Sequence, residues 1–93
     1  MKNANSVHES WVMQNEASAH GFDWPDIRGV LDKVKEEISE IEEALDQNDQ
    51  THAQEELGDL LFAVVNTARF LDVHPCDALH AANQKFERRF THL

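Results

Sequence analysis

A chain of 93 residues with 41% hydrophobic and 28% charged side chains reads as one globular domain and excludes disorder. A net charge of −10, from 18 acids against 8 Lys and Arg, disfavours DNA, RNA and anionic membrane surfaces, which are bound through clustered cations. The lone cysteine, Cys76, precludes an internal disulfide, and no run has the apolar length of a signal peptide or membrane span, so a cytoplasmic protein is expected.

The first predicted helix opens at an S-x-x-E capping box, Ser6 and Glu9, carries Trp11, Val12 and Ala17, and closes at His20-Gly21. "GFDWPD" at 21–26 is a turn, and Pro25 suits the first position of the next helix. That second helix carries Ile27, Val30, Leu31, Val34, Ile38, Ile41 and Leu45, one stripe at helical spacing. A polar turn, "DQNDQ" at 46–50, precedes a T-x-x-Q box, Thr51 and Gln54, that opens the third helix. From Leu57 to Leu71 this third helix is apolar on almost every side, which means burial among several neighbours. So small a chain hardly supplies them, and a short chain buries a modest fraction of its surface. A homodimer or dimer of dimers is therefore expected. Pro75 starts a fourth helix with a stripe of Leu79, Ala82, Phe86 and Phe90. The expected fold is all-α, a four-helix bundle in a single domain, 1–93, completed by oligomerisation.

Acidic residues recur beside the apolar stripes: "EEISE" at 36–40 and "EELGD" at 55–59. At 100° per residue, Glu37 falls at the edge of the second helix's stripe, Glu40 roughly 60° further out, and Glu36 about opposite. Glu56 and Asp59 share a flank of the third helix in the same way. A short turn makes the two helices antiparallel and brings the pairs to similar heights. Two readings stay open on the residues alone. The acids are solvated flanks, with Lys33 and Lys35 as ordinary partners one turn away, or they converge on a cation. Converging carboxylates repel when desolvated, and a hard divalent ion relieves this. Mg²⁺ fits oxygen ligands and bridges carboxylates to phosphates, and Mn²⁺ suits the same set. The clusters lack Cys and any His pair, which argues against zinc. Gly58, unfavourable inside a helix by about 1 kcal/mol relative to Ala, points to close approach of a helix or ligand.

These residues resemble a known family. "KVKEEISEIEEAL", "EELGDLLFAVVNTARFL" and "ALHAANQKFERRF" are similar to the MazG nucleoside triphosphate pyrophosphohydrolases, whose pattern is EExxE, a gap, then ExxD. "FDWPDIRGVLDKV" looks like the entry to the catalytic unit in the C-terminal half of longer members, and the likeness covers about residues 20–91. The resemblance implies an all-α fold shared with dimeric dUTP pyrophosphatases and phosphoribosyl-ATP pyrophosphohydrolases. It implies Mg²⁺-dependent hydrolysis of a nucleoside triphosphate to monophosphate and pyrophosphate. By motif position Glu37, Glu40, Glu56 and Asp59 hold the metal, while Lys85 and Arg89 contact phosphate, with Asn83 and Arg88 in the same stretch. His52 stands one turn before Glu56, where related sequences can carry a lysine, and a neutral imidazole contributes less to phosphate binding.

The chemistry assigns further expectations. Glu36 or Glu55 is the candidate base for water, although Glu36 points away from the other acids and suits a supporting role. Trp24, Trp11 and Phe90 are the candidates to stack on the nucleobase. Asn66 and Arg69, polar positions on an apolar helix, either serve a helix interface or line the substrate pocket. The competing reading of the whole chain is a non-catalytic helical module that binds nucleotide or a partner protein.

Overall fold

Four helices account for most of the computed structural model, which describes residues 5–92; residues 1–4 and 93, the ends of the expected domain, lie outside the described residues. In chain order they are α1 (Ser6–Ala19), α2 (Ile27–Asp46), α3 (Gln50–Phe70) and α4 (Pro75–Thr91). No strand occurs among the described residues. None of the described helices is long and apolar enough to cross a membrane.

The helix starts differ from expectation by a residue or two, each for a capping reason. Pro25 does not open α2. Asp26 caps it, accepting from the Arg28 and Gly29 N–H groups at 2.9 and 3.3 Å. Thr51 does not cap α3 either. Asp49 does, accepting from the His52 N–H at 3.0 Å, so the helix begins before the expected box. α1 begins at Ser6 with Asn5, not Ser6, in the capping position. Pro75 opens α4 as expected, and His74 Nδ1 accepts from the Cys76 N–H at 3.0 Å. Three helices end in a left-handed residue: Gly21, Asn48 and Asp72, with φ of 83°, 54° and 59°. Beyond each, an N–H returns five residues to a helix carbonyl: Phe22 to Ala17, Asp49 to Ala44, Val73 to Ala68.

The α2–α3 hairpin is the main packing unit; α1 lies on α3, and α4 rests on α1 and α3 without touching α2. The core of one chain is small. Val30, Ala44, Ala63 and Val65 are its buried apolar residues, while Leu57, Leu61, Phe62 and Val64 of α3 stay largely exposed, as do Leu79, Phe86 and Phe90 of α4. The radius of gyration is 15.4 Å, against about 12 Å for a compact domain of this length. The all-round apolarity of α3 is therefore not used up within one chain. Gly58 likewise meets nothing within 4 Å of an added Cβ, so the close approach expected there does not arise in the single chain.

Candidate functional site

The α2–α3 hairpin decides which carboxylates meet. Glu37 on α2 and Glu56 on α3 are 4% and 8% exposed, which makes them core residues despite their charge. Glu37, Glu56 and Asp59 each offer an oxygen within 4.8 Å of one another, and Glu40, His52 and Glu56 form a second such group. All four acids singled out by spacing thus gather in two overlapping groups that share Glu56.

Such an arrangement is unfavourable without a proton or a cation. Oε2 of Glu37 and Oε2 of Glu56 are both buried and, as ionised oxygens, have no donor. In the metal-free chain one shared proton resolves this. The Glu56 carboxyl is pushed up to about 7 by its hydrogen bond to Glu37, by burial, and by the charges of Glu40 and Glu37. Glu37 moves the other way, held down by accepting from Glu56 and then by Lys33. A divalent cation fits the same space: the donors are carboxylate oxygens with one imidazole at the rim, and two of those oxygens are buried and unpartnered.

Lys33 enters the site as a full member, though its spacing marks it only as a neutralising partner. Its ammonium lies 3.1 Å from Glu37 Oε1 and 3.3 Å from Glu36 Oε2. Hydrogen bonds to Glu37 and Glu36 raise its pKa. Glu36 is exposed, turned to Lys33, and outside both acidic groups, as its position opposite the stripe indicated. Glu55 is exposed too.

The acidic cleft has a volume of about 290 Å³ and is lined by Lys33, Glu37 and Asp59 together with Trp24, Phe62 and Asn66. Those last three also line a second, mostly apolar cavity of about 360 Å³, whose other walls include Gln14, Phe22 and Arg69. The two spaces adjoin across the Trp24 ring. That ring lies over Gly29, where an added Cβ would come within 3.0 Å of Trp24 Cε3. Its backbone is held by Asp23, whose Oδ1 accepts from the Trp24 N–H at 2.8 Å. Asp23 is in turn paired with Arg69, which also donates to Asn66 Oδ1. Arg69 and Asn66 therefore line the cavity while they brace each other. Gln14 donates to the Phe62 carbonyl at 3.1 Å, closing the cavity from α1. Nothing in the periodicity of α1 marks Gln14, because a polar residue on an amphipathic helix reads as a surface position.

The basic residues lie elsewhere. Lys85, Arg88 and Arg89 line one open depression on the exposed α4 with His92, and Asn83 is exposed on the same helix. Since α4 does not touch α2, one chain does not bring these groups against the acidic cluster. Trp11 packs against His74 with ring centroids 4.9 Å apart, and Phe90 stacks on Phe86, so neither lines the two cavities.

Comparison with known proteins fits this geometry. Residues 27–93 match the MazG nucleotide pyrophosphohydrolase domain. The chain is 49% identical over 78 residues to a nucleoside triphosphate pyrophosphohydrolase/pyrophosphatase MazG of Thermotoga maritima, covering 84% of this chain and 29% of that protein. It is 49% identical over 80 residues to a nucleoside triphosphate pyrophosphohydrolase of Escherichia coli (strain K12), covering 84% of this chain and 30% of that protein. A shorter match, 53% over 38 residues, is to the uncharacterized protein YabN of Bacillus subtilis, across 41% of this chain and 8% of that one. The chain thus spans less than a third of the length of these relatives. The match over α2, α3 and α4, which carry both acidic motifs, places this chain in the MazG nucleotide pyrophosphohydrolase family.

Proposed function

We propose that this domain hydrolyses nucleoside triphosphates to nucleoside monophosphate and pyrophosphate, with Mg²⁺, or Mn²⁺ in its place, held by Glu37, Glu40, Glu56 and Asp59. The observation that carries this reading is the meeting of those four acids around two buried, unpartnered oxygens, beside an aromatic-walled cavity. Its family supports the reaction class. When bound, the metal neutralises phosphate oxygens and acidifies the attacking water. Everything else is the work of the chain's own residues. Trp24, between the two spaces, offers its face to the nucleobase, and the apolar cavity excludes water from it. Lys33 keeps Glu37 ionised and turned inward. Glu36 holds Lys33 from the solvent side and acts as a positioning residue.

A triphosphate and a chain of net charge −10 repel each other, so cations must reach the phosphates. Lys85 and Arg89, with Arg88 and Asn83 beside them, serve that role from a second copy of the chain. The exposed apolar side chains of α3 and α4 bury in the same homodimer or dimer of dimers. The guanidinium fork of Arg89 suits phosphate oxygens as the leaving pyrophosphate gathers charge.

Incubation of the protein with each common ribo- and deoxyribonucleoside triphosphate, with Mg²⁺ or Mn²⁺, tests this directly. Pyrophosphate release that is abolished in Glu40→Gln and Asp59→Asn is expected. Nucleotide binding without pyrophosphate release, under either ion, would instead make the domain a non-catalytic binding module.

A further inference from the structure

A ring stacked on Trp24 shows the apolar cavity a face, but one flat ring is told from another at its polar edge. The polar side chains of that wall, Trp24 aside, are Gln14, Asp23, Asn66 and Arg69. Three of them satisfy one another. Both Asp23 oxygens accept from Arg69, with Ser18 and the Trp24 N–H donating to the same carboxylate, and Asn66 Oδ1 accepts from Arg69 Nε at 3.1 Å. Gln14 stands apart. It is 6% exposed, its Nε2 donates to the Phe62 carbonyl at 3.1 Å, and its Oε1 is buried with no donor among the described residues. Chemistry fixes the orientation of this amide, since a carbonyl only accepts and the NH₂ end must face Phe62. Gln14 therefore holds α1 to α3 with one end of its amide and strands an acceptor at the other. An apolar side chain would bury there without leaving an oxygen unmet, and the space that supplies a donor is the cavity Gln14 lines.

We infer that Gln14 reads the nucleobase: with the ring against Trp24, Oε1 accepts a hydrogen bond from an N–H on the base edge, so the domain takes nucleotides whose base presents an N–H donor and discriminates against rings that lack one. This rests on the reading of the Trp24 cavity as the base site. Each common base meets the requirement. Adenine and cytosine do so through an exocyclic amino group, guanine through its amino group and ring N–H, uracil and thymine through a ring N–H. A single acceptor does not choose among them, and a broad range of natural bases is expected. A site built to hydrogen-bond a substrate N–H rejects the analogue without it, because the protein's acceptor is then left unpaired. Gln14 belongs to α1, outside the residues 27–93 that match the family domain, so the carboxylate motifs carry no part of this assignment. The rival reading is a purely structural amide that fastens α1 to α3.

The test compares two matched pairs of triphosphates with Mg²⁺: adenosine against purine riboside, and cytidine against the pyrimidinone riboside that lacks its amino group. Pyrophosphate release gives kcat/KM, and calorimetry with the non-hydrolysable α,β-methylene forms gives affinity, for wild type and Gln14→Met. Wild type is expected to prefer the amino-bearing member of each pair by about 5–150-fold, the scale of leaving one buried acceptor unmet. In Gln14→Met the natural nucleotides should fall by that factor while the analogues hold, so that the preference disappears. Equal losses for all four nucleotides mean a structural amide only and overturn the inference, as does a wild type that treats both members of each pair alike. Discriminated binding without pyrophosphate release keeps the inference and overturns the hydrolytic reading. Failure to bind any of the four overturns both. Circular dichroism confirms folding, Gln14→Leu serves if Gln14→Met unfolds, and the wild-type pairs decide without any variant.

Discussion

Arg69 on α3 grips Asp23 in the α1–α2 loop through both terminal guanidinium nitrogens, one of them at 2.9 Å, and so fixes the residue that holds the Trp24 backbone. Ser18 at the end of α1 donates to the same carboxylate at 2.8 Å. One carboxylate therefore ties α1, the loop and α3 together at the wall between the two cavities.

Breaking that tie should cost both stability and substrate affinity. Arg69→Met or Asp23→Asn is expected to destabilise by about 1–3 kcal/mol, less than a fully buried pair because Asp23 is partly exposed. KM for a nucleotide should rise more than kcat falls, since Trp24 is loosened while the acidic cluster is untouched. The pair also has a pH signature. Donation from Arg69 lowers the Asp23 carboxyl to about 2 from an ordinary 3.8. A depressed carboxylate contributes stability that is present above the unfolded value and is lost as pH falls through the folded value. Acid unfolding of wild type between about pH 4 and 2 should carry this component, and Asp23→Asn should lack it. Equal acid sensitivity of the two would sink the assignment.

Glu56 gives the opposite sign. Its folded pKa of about 7 lies above the ordinary 4.5. A raised carboxyl contributes stability that is full below the unfolded value and is lost as pH rises through the folded value. Metal-free protein is therefore expected to lose thermal stability as pH climbs from about 4.5 to about 7. Added Mg²⁺ should reverse that loss, because the ion replaces the shared proton. Glu56→Gln should flatten both responses. Melting curves across this range, with and without chelator, provide the check.

Gly29→Ala separates helix propensity from ring position. Gly29 lies in the first turn of α2, where alanine's advantage is smaller than the about 1 kcal/mol of a helix interior, and an added Cβ would press on Trp24 at 3.0 Å. Melting temperature should change little, the tryptophan emission spectrum should shift, and KM should increase. An unchanged KM would show that the ring position does not matter to substrate.

Removing an oxygen proposed to hold the metal should be far more damaging than loosening the wall. Glu37→Gln and Asp59→Asn are each expected to lower kcat/KM by more than the roughly 10–100-fold typical of outer-shell changes. Steady-state pyrophosphate release measures this. Glu36→Gln should cost only a few-fold, since Glu36 reaches the cluster through Lys33.

Leu57, Leu61 and Val64 form an exposed apolar stripe along α3. Leu61→Glu should leave one chain folded but convert an oligomer to a monomer, and pyrophosphate release should fall with it if Lys85 and Arg89 act across the interface. Light scattering at micromolar concentration decides the first point. Mixing two inactive variants, Asp59→Asn and Arg89→Ala, decides the second, by whether activity returns.

Helix number, order and approximate limits were legible in the amino-acid order, because each helix carries an apolar stripe or run and each break carries Gly, Pro or a polar turn. So were the four acids, since E-x-x-E and E-x-x-D spacing puts each pair on one flank. The exact caps were not. Asp26 and Asp49 outcompeted the expected residues because a carboxylate one position after a plausible Pro start, or two before a plausible Thr start, caps equally well. What only the tertiary structure decided was the depth of Glu37 and Glu56, the role of Lys33, and the cavity built by Gln14, Trp24, Asn66 and Arg69. Local sequence sets which face a side chain occupies, but burial and a neighbour's charge depend on which other helix meets that face. For this chain it is the α2–α3 contact that turns solvent-seeking acids into a buried carboxylate cluster.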